Sequence, residues 1–393
     1  MFDKTSSIIR DSKPLDYDYI PDRLVGRDEQ MKTLEILFEP LALHQRQCSA
    51  MLTGSVGTGK TVTARRFVRD MAAYCAKAGR PIDSIIVNCR NRGSETAVLQ
   101  QILRYFDPGC PNRGFSVEEM LEFIRRHLMS GRRPMVVILD EADVLLKRTT
   151  VDIIYQLTRF TDTPENVPAL SLILISQEPV YDLLDEASRS TFRKSNHVMF
   201  DKYGRQQLRD IIVDRADLAL IPGTIGDGAI DMLADNAADY GDARLAIELL
   251  DRSAVLAEKD SEGEITVEHV RAAKAMIYSA VPEGKLLALD PNRRAVLLAI
   301  SRAIKKSPYI TTSAAEKTYA VVCEEYGIPC RKHTQFWTYM QDLEKQGIIR
   351  TAIKTDAEGR TTLISLPEIP AKVLADKLEA LIESDMHGGS DEM

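Results

Sequence analysis

The chain has 393 residues and a formal net charge of −7; 44% of its residues are hydrophobic and 28% charged. This is ordinary globular composition, which excludes a disordered, collagen-like or fibrous chain, and the length accommodates about two or three domains. No stretch approaches the roughly 20 apolar residues of a membrane span. The first residues carry no apolar core of secretion-signal length, so a cytoplasmic protein is expected. Cys48, Cys75, Cys89, Cys110, Cys323 and Cys330 are scattered, with no CxxC pair and no histidine cluster. They read as reduced thiols, not as a zinc site.

Residues from about 14 to 200 alternate strand-like and helix-like stretches, the pattern of buried parallel strands in an α/β sheet. The first strand, 49–52, runs into Gly54-Ser55-Val56-Gly57-Thr58-Gly59-Lys60-Thr61. That is a GxxxxGK[ST] phosphate loop in the strand-to-helix context it requires. Glycines let consecutive backbone N–H groups turn towards one anion. The helix that follows, 61–77, carries Val62, Phe67 and Met71 on one face and adds its positive N-terminal end. Lys60 is placed to neutralise β- and γ-phosphates, and the Thr61 hydroxyl to ligate Mg2+.

A strand at 84–88 and a helix at 117–130 come next. Val136-Val137-Ile138-Leu139-Asp140-Glu141 is a buried strand ending in two carboxylates. Asp140 is placed to hold Mg2+ through water, and Glu141 to orient and polarise an attacking water. Together with the glycine loop, this pair indicates a hydrolysing P-loop nucleotidase. Asp143 reads as a capping or surface residue. The strand at 170–176 ends at Gln177, whose amide can reach a γ-phosphate or the lytic water.

Residues 203–280 show helical periodicity only, at 208–218, 225–236, 242–258 and 266–278. Gly241-Asp242-Ala243-Arg244 opens the third helix, where a guanidinium can fold over a γ-phosphate. Tyr203 and Arg215 flank the first, and Tyr203 can pack on a base. Residues 281–285 read as a linker. Helices at 293–305, 312–326 and 334–346, then strands at 348–354 and 361–366 around the turn Asp356-Ala357-Glu358-Gly359, give a winged helix-turn-helix. Residues 383–393 read as a frayed end.

Between residues 291 and 366, twelve basic residues face seven acidic ones, an excess of five positive charges on an otherwise acidic chain. That directs the module towards a polyanion. Thr334 is the expected N-cap of the recognition helix. Arg331, Lys332, Thr334, Gln335 and Thr338 lie at its N-terminal end, the part that enters a major groove. Arg331 and Lys332 suit phosphates and Gln335 a base edge, while Arg360 at the wing tip suits a minor groove. Of Phe336, Trp337 and Tyr339, at least two should be buried, because aromatics at helical spacing belong to a core. Winged helices also dock proteins; the charge excess favours DNA.

Asp22-Arg23-Leu24-Val25-Gly26-Arg27, the glycine loop, the strand with its Asp-Glu pair, Ile175-Ser176-Gln177, the stretch 200–208 and the GDAR helix start follow in that order. Over roughly 14 to 366 the chain resembles an AAA+ ATPase of the initiator branch, most closely the archaeal origin recognition complex / cell division control family of replication initiators. The resemblance implies an α/β P-loop AAA+ ATPase domain over 1–200, an all-helical lid with the second sensor over 201–282, and a winged-helix DNA-binding domain over 283–393.

It further implies ATP or ADP with Mg2+ as cofactors. Val25, Gly26 and Arg27 then border the base. Val56, Gly57, Thr58, Gly59, Lys60, Thr61, Tyr203 and Arg215 contact the nucleotide, and Arg244 is the second sensor. Two departures stand out. Gln177 occupies a sensor position where the family usually has Asn. The arginine-finger pattern over 185–193 is only partly kept, with Arg189 the first choice and Arg193 the second. Implied partners are double-stranded origin DNA, the MCM replicative helicase and other copies or paralogues on DNA, in a nucleoid-associated protein without a membrane. An ATPase-domain insertion matching 111–117, through Arg113, is a second DNA contact. Hydrolysis is then a slow switch. Two rival readings are an ATP-gated winged-helix transcriptional regulator and an AAA+ assembly factor, of the clamp-loader or transposition-helper kind, whose winged helix docks protein.

Overall fold

In the computed structural model the described residues are 6–111, 114–148, 152–160, 167–178, 180, 184, 192, 194–277, 283–305, 307–356, 359–366 and 370–388. The chain divides into two compact units, one of residues 17–207 and 240–243, the other of 1–16, 208–239 and 244–393. Arg113, Arg189 and Arg193 lie outside the described residues, as do residues 281 and 282 of the expected 281–285 linker, whose residues 283–285 instead open a short helix.

The first unit runs α1 (Asp28–His44), β1 (Ser49–Thr53), α2 (Lys60–Lys77), β2 (Asp83–Asn88), α3 (Glu95–Phe106), α4 (Val117–Gly131), β3 (Met135–Asp140), α5 (Ala142–Arg148), α6 (Asp152–Thr158), β4 (Leu170–Ser176) and β5 (His197–Met199). The strands are all parallel, in the order β2-β3-β4-β1-β5. Side chains alternate between two cores. Val136 and Ile138 pack with Leu34, Phe38 and Phe67 of α1 and α2. Val137 and Leu139 pack with Leu99, Ile102, Met120 and Ile124 of α3 and α4. Burial on both faces is why these strands read as unbroken apolar runs. Helix α4 opens on a capping box, with Ser116 Oγ accepting from the Glu119 N–H and the Glu119 carboxylate accepting from the Ser116 N–H.

Because β4 lies between β3 and β1, the carboxyl ends of three strands are neighbours. The glycine loop leaves β1, Asp140 ends β3, and Gln177 follows β4. Sites in parallel α/β sheets form at such ends.

The second unit holds residues 6–16 and the lid helices α7 (Arg205–Ala219), α8 (Asp227–Ala238), α9 (Ala243–Lys259) and α10 (Val267–Ile277), and residues 6–16 bond the end of α7 and Glu258 of α9. The Arg10 N–H donates to Ala219 O at 2.7 Å and the Ile221 N–H to Ile8 O at 2.8 Å. The Ile8 side chain is fully buried. Next come α11 (Glu283–Leu287), α12 (Pro291–Ile304), β6 (Ile310–Thr311), α13 (Thr312–Glu325), α14 (His333–Lys345), β7 (Arg350–Asp356), β8 (Gly359–Ser365) and α15 (Ala371–Gly388). The three strands are antiparallel in the order β6-β8-β7, one strand more than the sequence pattern yields.

Arg271 of α10 is 1% exposed. Its guanidinium donates to Ser307 O at 2.6 Å, to Ile304 O at 3.3 Å and to the Glu268 carboxylate at 3.0 Å. Glu268 in turn accepts from the Ala371 N–H at 3.0 Å. The lid therefore satisfies the last carbonyl of α12 and the first amide of α15, groups a helix cannot satisfy by itself.

Two expectations fail here. Of the expected frayed end, residues 383–388 continue α15, and residues 389–393 lie outside the described residues. Leu374, Leu378 and Ile382 recur at helical spacing and are buried, and Arg294 and Arg302 of α12 bond Asp385 and Glu379. Thr334 is not the N-cap of α14. Lys332 holds that place with extended backbone and no side-chain cap, so winding starts at His333. Among the described residues no helix is long and apolar enough to cross a membrane.

Candidate functional site

The loop after β1 is held open by its own geometry. Gly57 and Gly59 have φ of 73° and 85°, a left-handed backbone that favours glycine. Neither has room for a side chain. A Cβ on Gly57 would sit 1.7 Å from an Asp242 carboxylate oxygen, and one on Gly59 would sit 2.5 Å from the Tyr203 hydroxyl. The Ala243 N–H donates to Gly57 O at 3.1 Å, and the Tyr203 N–H to Gly241 O at 3.2 Å. The loop is thus clamped by Tyr203 and by the turn 240–243. Gly57→Ala is expected to push Asp242 away and to lower nucleotide affinity about tenfold, given the ~1–2 kcal/mol that a non-glycine residue costs in this conformation. Titration with a fluorescent nucleotide measures it; unchanged affinity would mean the clamp is irrelevant to binding.

Lys60 opens α2 and is 8% exposed. Its ammonium donates to Gly54 O at 2.6 Å and to Ser55 O at 2.7 Å, which folds the charge back over the loop. The Thr61 hydroxyl donates to the Asp140 carboxylate at 3.0 Å. Burial pushes the Asp140 carboxyl above its usual range, with the Thr61 hydrogen bond opposing. A half-buried carboxylate beside a hydroxyl, both oxygen donors, fits a divalent ion such as Mg2+.

Glu141 has φ of 55°, uncommon for a residue with a side chain. Its N–H donates to Asp140 Oδ1 at 3.0 Å. The Asn88 amide donates to its carboxylate at 3.5 Å, and Arg90 pairs with it at 3.5 Å. Sequence reasoning missed both partners; the only signal was a polar residue at the end of the neighbouring strand. Asp143 is corrected: it is 8% exposed, not a surface residue, because the first turn of α5 tucks against the sheet. Gln177 is exposed, directly after β4.

Arg27 is buried and works as a staple. Its guanidinium donates to Thr58 O at 2.9 Å and to Asp201 O at 2.8 Å, and it lies 3.8 Å from the centre of the Tyr203 ring. Gly26, with φ of 64°, abuts the Gln207 side chain, and Val25 is half-buried. Thr58 is fully buried, while Val56 is exposed at the loop's tip. In the other unit Arg215 is buried within α7, and Arg244 is exposed in the first turn of α9.

In the winged helix, Arg331, Lys332, Thr334, Gln335 and Thr338 are all exposed at the start of α14. The opposite face is buried, with Phe336 at 0% and Tyr339 at 7% exposure and Trp337 packed against the same core. Two of the three aromatics are therefore core, as the helical spacing requires. Arg360 lies on β8, where its backbone pairs with Thr355.

Comparison with known proteins agrees with this layout. Family models for an AAA domain, a Cdc6 AAA+ ATPase-type lid domain and a CDC6 C-terminal winged helix domain match residues 43–184, 209–275 and 286–376. The chain is 28% identical to ORC1-type DNA replication protein 1 of Archaeoglobus fulgidus over 95% of its length and 91% of that protein. Among solved structures, Cdc6p from Pyrobaculum aerophilum is 31% identical with a TM-score of 0.80, covering 96% of this chain and 99% of that one. The Aeropyrum pernix ORC1 protein, solved in complex with DNA, is 28% identical with a TM-score of 0.64, covering 98% and 100%. With an α/β nucleotide-binding sheet, a helical lid and a winged helix all matched in order, the chain belongs to the archaeal Orc1/Cdc6 family of AAA+ DNA replication initiators.

Proposed function

We propose that this chain binds ATP and Mg2+, hydrolyses the nucleotide slowly, binds double-stranded origin DNA through its winged helix and helps to recruit the MCM replicative helicase. The observation that carries the DNA reading is the polar N-terminal face of α14, five exposed residues within the stretch 291–366 that carries an excess of five positive charges. The solved DNA complex of the Aeropyrum relative supports it.

Lys60 and the loop amides hold the phosphates, and Thr61 and Asp140 hold the metal. Glu141 orients the water, with Asn88 and Arg90 setting the direction of its carboxylate. Gln177, between the two motifs, contacts the γ-phosphate side. Arg244 acts as the second sensor, Arg189 as the finger offered to a neighbouring copy, and Arg113 as a further DNA contact. When bound, Mg2+ offsets charge on the phosphates and fixes their orientation. Helicase recruitment rests on kinship alone.

Arg331→Ala combined with Gln335→Ala tests the DNA reading. Loss of one phosphate contact and one base contact is expected to weaken duplex binding about tenfold, with nucleotide affinity unchanged. Fluorescence anisotropy on duplexes from the organism's own origins measures it. Level DNA affinity would favour a winged helix that docks protein.

A further inference from the structure

Helices α1 and α2 enclose a groove of about 450 Å³ in the first unit. Its floor is apolar: Phe38 and Phe67 meet edge to face at 5.4 Å, with buried Met71 beside them. Its rim is apolar as well, yet exposed, with Ile36 at 63% and Tyr74 at 54% exposure. Side chains of this size left in water along one groove mark an interaction surface.

The polar part of the rim has one sign. Glu35, Glu39 and Asp70 line the groove, and among the described residues no lysine or arginine does. Asp70 is already paired with Arg66 at 2.5 Å. Glu35 and Glu39, one turn apart on α1, form no ion pair among the described residues. The same stretch of α1 holds a third acceptor. Pro40 sits inside α1 and has no N–H, so the carbonyl of Ile36 lacks its helical donor. Two carboxylates and a helix carbonyl without its usual donor therefore lie along the stretch of α1 that lines the trough, and among the described residues neither carboxylate has an ion-pair partner.

The shape narrows the occupant. From Met31 to Leu43 the groove follows α1 for about 18 Å, at 1.5 Å per residue, which is the length of about three helical turns. A trough between two packed helices accepts the ridge of a third. We propose that the α1–α2 groove docks a helix of another protein, apolar on its entering side and carrying lysine or arginine where it meets Glu35, Glu39 and the Ile36 carbonyl. The groove shares no residue with the nucleotide loop or the α14 face, and the proposal does not depend on either.

The test uses the full chain and a dye-labelled synthetic helix of about twelve residues, three turns, with leucines on one side, lysines flanking them and a photoreactive group at its centre. Binding is expected, with cross-links on α1 and α2. A scrambled peptide of the same composition should bind at least about tenfold more weakly, as should the designed peptide to a Glu35→Lys, Glu39→Lys double variant. Ile36→Asp, at an exposed position, should weaken binding without altering nucleotide affinity. Equal binding of the scrambled peptide, full binding to the charge-reversed chain, or cross-links elsewhere would overturn the proposal. So would sedimentation showing that Ile36→Asp dissolves a self-association of the chain, since the occupant would then be a second copy.

Discussion

Lys60→Ala is expected to weaken ATP binding about hundredfold, some 2.7 kcal/mol. The lysine is 8% exposed and its ammonium lies within 2.7 Å of two loop carbonyls, so its position is fixed before a ligand arrives. Little side-chain entropy is then lost on binding, and a largely desolvated charge acts on phosphate more strongly than one in water. The contrasting variant is Glu141→Gln. It keeps every contact to the loop, so it should bind ATP normally while hydrolysis falls by roughly a hundredfold, the size of a general-base contribution. Calorimetric titration and single-turnover phosphate release separate the two. Unchanged affinity in Lys60→Ala would overturn the phosphate-loop assignment, and near-normal turnover in Glu141→Gln would remove its water-orienting role.

Arg271→Ala is expected to destabilise the lid and winged helix by about 3 kcal/mol, because removing one member of a buried ionic cluster strands the others. The Glu268 carboxylate loses its guanidinium, and the carbonyls of Ile304 and Ser307 lose their donors. Trp337 is the chain's single tryptophan and packs on the winged-helix core. Its fluorescence in a urea titration therefore reports this unit. Arg271→Lys should recover part of the loss, since an ammonium keeps the charge but not the planar fork that reaches three acceptors. A midpoint that stays put in Arg271→Ala would mean that the cluster adds nothing to stability.

The parts of this molecule legible in its sequence are those where one local rule dominates. Strands β1, β3 and β4 are buried on both faces, so their apolar runs announce them. The glycine loop and the Asp-Glu pair are legible because phosphate and metal chemistry fixes residue types at fixed spacings. Strands of two and three residues, β6 and β5, carry too little pattern to read. Helix α1 contains Pro40, a residue that disfavours helix interiors, yet the helix runs unbroken through it from Asp28 to His44. The partners of Glu141 depend on register: Asn88 reaches it because Asn88 pairs with Asp140 across β2 and β3. Arg27 illustrates the same limit. It reads as a border to the base, yet its acceptors Thr58 and Asp201 lie 31 and 174 residues away, and only the folded chain brings them together.

The leading residues 6–16 bear on how the molecule can be dissected. The chain passes from one unit to the other after Asp16, Gln207, Asp239 and Ala243. No single protease cut therefore releases the nucleotide-binding half intact. A truncation beginning at Tyr17 would strip Ile8 from its socket and leave Ala219 and Ile221 without their backbone partners, an invitation to aggregation. Affinity tags are better carried downstream of α15 than ahead of this strap.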